Sequence, residues 1–164
     1  MLRETLIHLG ESSTAKTVVT KTPLRGMARR FVPGETVDDL VRAVRGANED
    51  GLTATGNFLG ESVHDEPNAR RAADVYLEIL DRIHDEGLDA NISLKFTALG
   101  QDISERFLEH NLGRVLERAK ETDSFVRFDM ESSEYTQRTL DAFVTLWEDG
   151  WRNIGVVLQS YLKR

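Results

Sequence analysis

Three short apolar runs recur about thirty residues apart, and that spacing restricts the fold more than any other feature of the chain. They are residues 91–97 (NISLKFT), 125–131 (FVRFDME) and 154–160 (IGVVLQS). Each carries one well-placed polar residue: Lys95, Asp129 and Gln159, 34 and then 30 positions apart. One strand, one helix and two short loops fill about that length. In a sheet or barrel of parallel strands, all strand C-termini point to one face. A cation, a carboxylate and an amide then meet in one place, as a site for a small polar substrate and a polar cofactor requires.

The segments between these runs read as helices. Thr36-Val37-Asp38-Asp39 has the form of a capping box, with Val37, Leu40, Val41 and Val44 at helical spacing and Gly51 as a stop. A first strand is expected near residues 52–58. Pro67 suits the first turn of a second helix, whose stripe is Ala69, Ala73, Tyr76, Leu77, Leu80 and Ile83 before Gly87. Ser104 can cap a third helix. Ser132 or Ser133 is expected to start a fourth, with Leu140, Phe143, Leu146 and Trp147 turned inward and Gly150 at its end. Helix and strand alternate four times, which means a parallel sheet with crossover helices. The fold class is α/β. Periodicity alone does not separate an open sheet from part of a (β/α)8 barrel. Residues 1–28 mix Ser, Thr, Lys and Gly, and Pro23 breaks any long element, so they read as an arm outside the repeating units.

Composition removes several classes. The 164 residues suffice for one ordinary core, 40% are hydrophobic and 30% charged, so the chain is globular rather than disordered. A net charge of −7 without a basic stripe argues against nucleic acid as partner. The absence of cysteine excludes a disulfide scaffold, a thiolate nucleophile and a cysteine zinc site, and fits a cytoplasmic protein. No apolar run reaches the ~20 residues of a membrane helix, and no signal-peptide core is expected at the N-terminus; peripheral contact with a membrane surface stays open.

Two further motifs stand in the sequence. Glu61 and His64 form E-x-x-H, a di-iron spacing, but no second copy accompanies it, and no metal is expected. Residues 10–17, from Gly10 to Thr17, are one residue from a phosphate-binding P-loop, so a nucleotide-binding protein is the rival class. Ala15 replaces the glycine before Lys16, and the following stretch is β-branched and then broken by Pro23, which leaves no good helix N-terminus for an anion.

The segments ARRFVPGET (28–36), NFLGE (57–61), ISLKFT (92–97), VRFDME (126–131) and VLQSYL (157–162) together resemble bacterial proline dehydrogenases, in order and spacing. The resemblance implies a distorted (β/α)8 TIM-type barrel, of which residues 29–164 would be the first half, with strands near 52–58, 91–97, 125–130 and 154–160. It implies an FAD-dependent oxidoreductase that converts L-proline to Δ1-pyrroline-5-carboxylate and passes electrons to a membrane quinone, in proline catabolism, at the inner face of the cell membrane. By motif, Lys95 resembles the lysine near the substrate carboxylate and Asp129 the essential aspartate. Met130 and Gln159 resemble positions lining the flavin, and Glu61 an acid that pairs across the pocket mouth. Asn57 stands where many relatives have aspartate, and carries no assigned role.

Eight βα units need roughly 250 residues. The later strands of such a barrel, with the paired arginines that bind the carboxylate and much of the FAD cradle, lie outside this sequence. A truncated product, a barrel completed by another chain, and a non-catalytic binding remnant all remain open readings. The lone half-barrel is expected to be inactive and to self-associate, through an inner apolar layer partly formed by Leu94, Phe96, Phe128 and Val157.

Overall fold

The structure, a computed structural model, describes residues 32–60 and 62–160. The N-terminal arm (residues 1–28), the near P-loop from Gly10 to Thr17, and Glu61 lie outside the described residues. The chain divides into two compact units, Met1–Leu40 and Val41–Arg164. In the first, the capping box closes as its sequence implies. The Thr36 hydroxyl accepts from Asp39 N–H at 3.2 Å, and the Asp39 carboxylate accepts from Thr36 N–H at 3.3 Å. It starts α1, Val37–Glu49.

From there the order is β1 (Ala54–Asn57), α2 (Glu66–Asp85), β2 (Ala90–Leu94), a single 3₁₀ turn (Phe96–Leu99), α3 (Glu105–Glu121), β3 (Val126–Phe128), α4 (Thr136–Glu148) and β4 (Ile154–Val156). The four strands form one parallel sheet in sequence order, β1-β2-β3-β4. Each helix boundary has a local cause. Asp65 caps α2 by accepting from Asn68 N–H at 3.0 Å, and Ser104 caps α3 by accepting from Phe107 N–H at 3.2 Å. Gly87, at φ 61°, ends α2 in a left-handed turn, from which Gly87 and Leu88 N–H reach back to His84 and Ile83 carbonyls.

Side-chain alternation gives the sheet two unlike faces. Ile92, Leu94, Val126 and Phe128 are fully buried, and Ile154 nearly so, on the side packed by helices. Their registered neighbours on the other face are Thr55, Asn57, Asn91, Ser93, Arg127 and Gly155. That face is polar: Thr55 Oγ1 donates to Asn91 Oδ1 at 3.0 Å, and Arg127 donates to Thr55 Oγ1 at 3.3 Å. Phe125 is its one large apolar ring, lying where a side chain on Gly155 would clash.

The expected inner apolar layer is therefore corrected. Leu94 and Phe128 have the opposite phase, and Phe96 packs against Phe128, tilted 58° with ring centroids 4.9 Å apart, on the helix side. Only Val157 falls in phase with Arg127 and Asp129. Two other expectations shift. β2 stops at Leu94, where Lys95 leads into the 3₁₀ turn rather than continuing the strand to Thr97. α4 starts at Thr136, because Ser132 closes a turn first, its carbonyl accepting from Tyr135 N–H at 3.0 Å. The inward stripe of α4 is also only half realised: Thr136 and Thr139 are its buried residues, whereas Trp147 is 43% exposed.

Candidate functional site

Lys95 follows the last residue of β2, and Asp129 the last residue of β3. The ladder continues one step past the assigned strands, since Asp129 N–H donates to Leu94 C=O at 2.8 Å. Lys95 and Asp129 thus stand at the same level of neighbouring strands, on the polar face, both half-buried. Val157 N–H extends the same ladder to Phe128 C=O at 2.9 Å. Gln159, half-buried, comes two residues later at the same end of the sheet. The structure brings these three positions to the C-terminal end of consecutive strands. Met130 is separated from them by phase: it is 6% exposed, and its N–H is held by Asp129 Oδ1 at 3.0 Å.

What holds this end together was not apparent from the sequence. Thr97 is fully buried and links the segments that follow three strands. Its hydroxyl donates to the Glu131 carboxylate, after β3, and accepts from Ser62 N–H at 3.1 Å, after β1. Its backbone N–H donates to Glu131 Oε1 at 3.2 Å, and its carbonyl accepts from Val63 N–H at 3.2 Å. A hydroxyl can donate once and accept at once, so threonine serves both neighbours. The 3₁₀ turn that carries Thr97 begins one residue after Lys95, so the staple fixes where the lysine emerges. The sequence signal was the acid of Asp-Met-Glu, two residues past Asp129.

Below this layer, Tyr76 of α2 reaches the strand ends. Its buried hydroxyl lies 3.0 Å from the Ser93 carbonyl and 3.3 Å from Asn57 Oδ1. Burial, and next the negative charges of Asp129 and Glu131, push its pKa well above the usual tyrosine range, so it stays a neutral donor. Sequence periodicity marks Tyr76 only as a core stripe residue. Tyr135, before α4, donates to Asp102 at 3.0 Å, and that bond chiefly raises its pKa. Among the described residues no cluster of three or more His, Asp or Glu side chains could hold a metal ion, and no helix is long and apolar enough to cross a membrane.

A cleft of about 370 Å³, lined by Lys120, Asp123, Trp151 and Arg152 among others, opens at the other end of the sheet, by the N-terminal ends of β3 and β4. Its bases and acids largely offset each other. In parallel β/α folds the ligand end is the C-terminal one, where Lys95, Asp129 and Gln159 converge, so that end is the candidate site.

Comparison with known proteins bears on both fold and family. Residues 40–164 match the proline dehydrogenase family model. Proline dehydrogenase 1 of Bacillus subtilis subsp. natto is 33% identical over 164 residues, covering 100% of this chain and 54% of the relative. Proline dehydrogenase of Deinococcus radiodurans is 32% identical over 142 residues, 84% of this chain and 46% of the relative. The chain thus spans about half the length of the curated relatives it matches. Among solved structures, proline utilization A from Bdellovibrio bacteriovorus, inactivated by N-propargylglycine, superposes with a TM-score of 0.77 at 24% identity, over 92% of this chain and 18% of that one. That likeness identifies the four parallel βα units as TIM-barrel type.

Proposed function

Because the chain belongs to the proline dehydrogenase family, we propose that it supplies the Lys95–Asp129 side of a site that oxidises L-proline to Δ1-pyrroline-5-carboxylate in proline catabolism. The observation that carries this reading is the placement of a cation and a carboxylate at one level of β2 and β3, on a polar face. The substrate is a zwitterion. The Lys95 ammonium suits its carboxylate, and the Asp129 carboxylate suits its ring nitrogen or the polar network that orients it. Oxidation takes a hydride from carbon and a proton from nitrogen.

The side chains here include no two-electron oxidant, and a bound FAD supplies that chemistry. The donor set fits one edge of a flavin: the Gln159 amide can donate and accept at once, which suits a heteroaromatic ring edge. Met130, buried beside Asp129, is the position proposed to back it. Glu61 remains the proposed gate at the mouth. Tyr76 and Thr97 touch neither substrate nor flavin in this reading; they hold Asn57, Lys95 and the segment after β3 in place. A quinone at the inner face of the cell membrane is proposed as the final electron acceptor.

The test joins this chain to the remaining half of the B. subtilis relative, replacing that protein's corresponding residues. The chimera should bind FAD and reduce a dye with L-proline. Asp129→Ala should lower kcat/KM by ~10²-fold. Lys95→Ala should act chiefly on KM, by roughly 10-fold or more, since one charged hydrogen bond is lost. A folded, flavin-loaded chimera indifferent to both substitutions would remove these residues from the reaction.

A further inference from the structure

The ladder between β1 and β2 changes its chemistry at the site end. Ala54 N–H donates to Asp89 C=O at 3.2 Å, and the same phase brings Phe58 N–H toward Ser93 C=O. At that carbonyl a side chain enters: the Tyr76 hydroxyl donates to it at 3.0 Å. Phe58 N–H acts on the phenol oxygen itself, where it opposes the upward pull of burial on the pKa. A fully buried tyrosine of α2 thus reaches into the ladder, with its oxygen beside Asn57, a half-buried residue of the polar face.

Proton counting then fixes Asn57. A phenol has one proton to give and two lone pairs to accept with. The nearer acceptor, Ser93 C=O, takes the proton, and burial keeps the hydroxyl neutral. Asn57 Oδ1, 3.3 Å away, would then face the phenol oxygen with no proton between them. A half-turn of the amide, whose two ends have the same size and shape, puts Nδ2 there as a donor. The phenol oxygen then gives one hydrogen bond and accepts from Asn57, and no buried oxygen is left facing another. The same turn points Oδ1 away from Tyr76. Asn57 is the last residue of β1 and registers with Ser93 of β2. Lys95 is the next position on that face of β2, and a diagonal neighbour roughly 7–8 Å away is within reach of a long side chain.

We propose that Asn57 is a positioning residue for Lys95: Tyr76 holds its amide nitrogen, and its Oδ1 accepts from the Lys95 ammonium and aims it at the substrate carboxylate. The inference rests on the reading of Lys95 as the cation that meets that carboxylate. An amide suits the task. It gives the ammonium a fixed acceptor without a negative charge, so the lysine keeps its full attraction for the substrate. Tyr76 in turn is anchored at both ends, by its ring in the core of α2 and by its proton on Ser93 C=O, so the amide inherits a rigid support.

The flavin-loaded chimera tests both contacts. With isotope-labelled asparagine, nuclear Overhauser contacts should join the Asn57 side-chain N–H protons to the Tyr76 ring, the Asn57 signal being assigned by its loss in Asn57→Ala. Asn57→Ala should raise KM for L-proline by roughly 5-fold, one hydrogen bond to a charged group being lost, with kcat nearly unchanged. In a Lys95→Ala background the same change should have no further effect, because its action passes through the lysine. Tyr76→Phe keeps the ring and should raise KM in the same direction by less. Asn57 amide protons remote from the Tyr76 ring overturn the proposal. So does an Asn57→Ala effect that multiplies with that of Lys95→Ala, or one that falls on kcat alone. If Asn57→Ala does not fold, Tyr76→Phe carries the same cycle with Lys95→Ala. A Lys95→Ala chimera with unchanged KM overturns the substrate reading of the site and the aiming role with it, whereas the Tyr76–Asn57 contact is decided separately by the Overhauser signal.

Discussion

Helices α2 and α4 arise from the same kind of sequence and are packed very differently. α2 buries Ala69, Ala72, Ala73, Tyr76, Ile79, Leu80 and Ile83, and packs against both α3 and β2. α4 buries Thr136 and Thr139, and its apolar residues are half-covered or exposed. Both have an amphipathic stripe. The difference is the neighbours: α2 contacts α3, β2 and the 3₁₀ turn, whereas α4 contacts chiefly β4. An apolar stripe states what a helix can bury, and burial follows only where a second surface arrives.

The contrast can be broken or sharpened by substitution, with stability read from denaturant unfolding. The largest effect should come from α2. Leu80→Ala empties a fully buried position and should cost about 2–5 kcal/mol, because both the transfer energy and the cavity count. A loss below about 1 kcal/mol would mean that α2 is not the packed partner described here.

Thr97→Val tests the staple at the strand ends. The valine keeps the volume but removes the hydroxyl bonded to Glu131 and Ser62 N–H, at an expected cost of about 1–3 kcal/mol. In the chimera, the same change should disturb Lys95 and raise KM, with Asp129-dependent chemistry retained. Wild-type stability and KM together would show that Thr97 does not hold this end.

The smallest effect belongs to α4. Val144→Ser alters a half-exposed side chain, so it should change stability by about 0.5 kcal/mol or less. A large loss would place Val144 in the core and remove the contrast.

Much of the fold could be read from residue order. The alternation of helical stripes with apolar runs implied four parallel strands and their succession, since each crossover leaves few topologies. The caps at Thr36 and Ser104 are local chemistry and appear where their residues stand. Elements ended less predictably where tertiary contacts outrank propensity. Residues 95–97 have a strand-like composition, yet Glu131, 34 positions after Thr97, draws Thr97 into a turn. The start of α4 moved for a similar reason, with Tyr135 tied to Asp102.

The site divides the same way. That Lys95, Asp129 and Gln159 share one end of the sheet follows from strand polarity, which residue order determines in a parallel fold. Their phase does not follow, because a run such as Ile-Ser-Leu-Lys-Phe is apolar on alternate positions whichever face is the core. Only packing against the helices decided that Leu94 and Phe128 go to that side, Phe128 meeting Phe143 of α4, and Ser93, Arg127 and Asp129 to the polar face. The sequence by itself determined which residues alternate and where strands end, because those are short-range properties of the chain. The tertiary structure alone decided which face is buried, that Thr97 joins three segments, and that α4 and β4 stay half-covered, because each depends on a surface contributed from far along the chain.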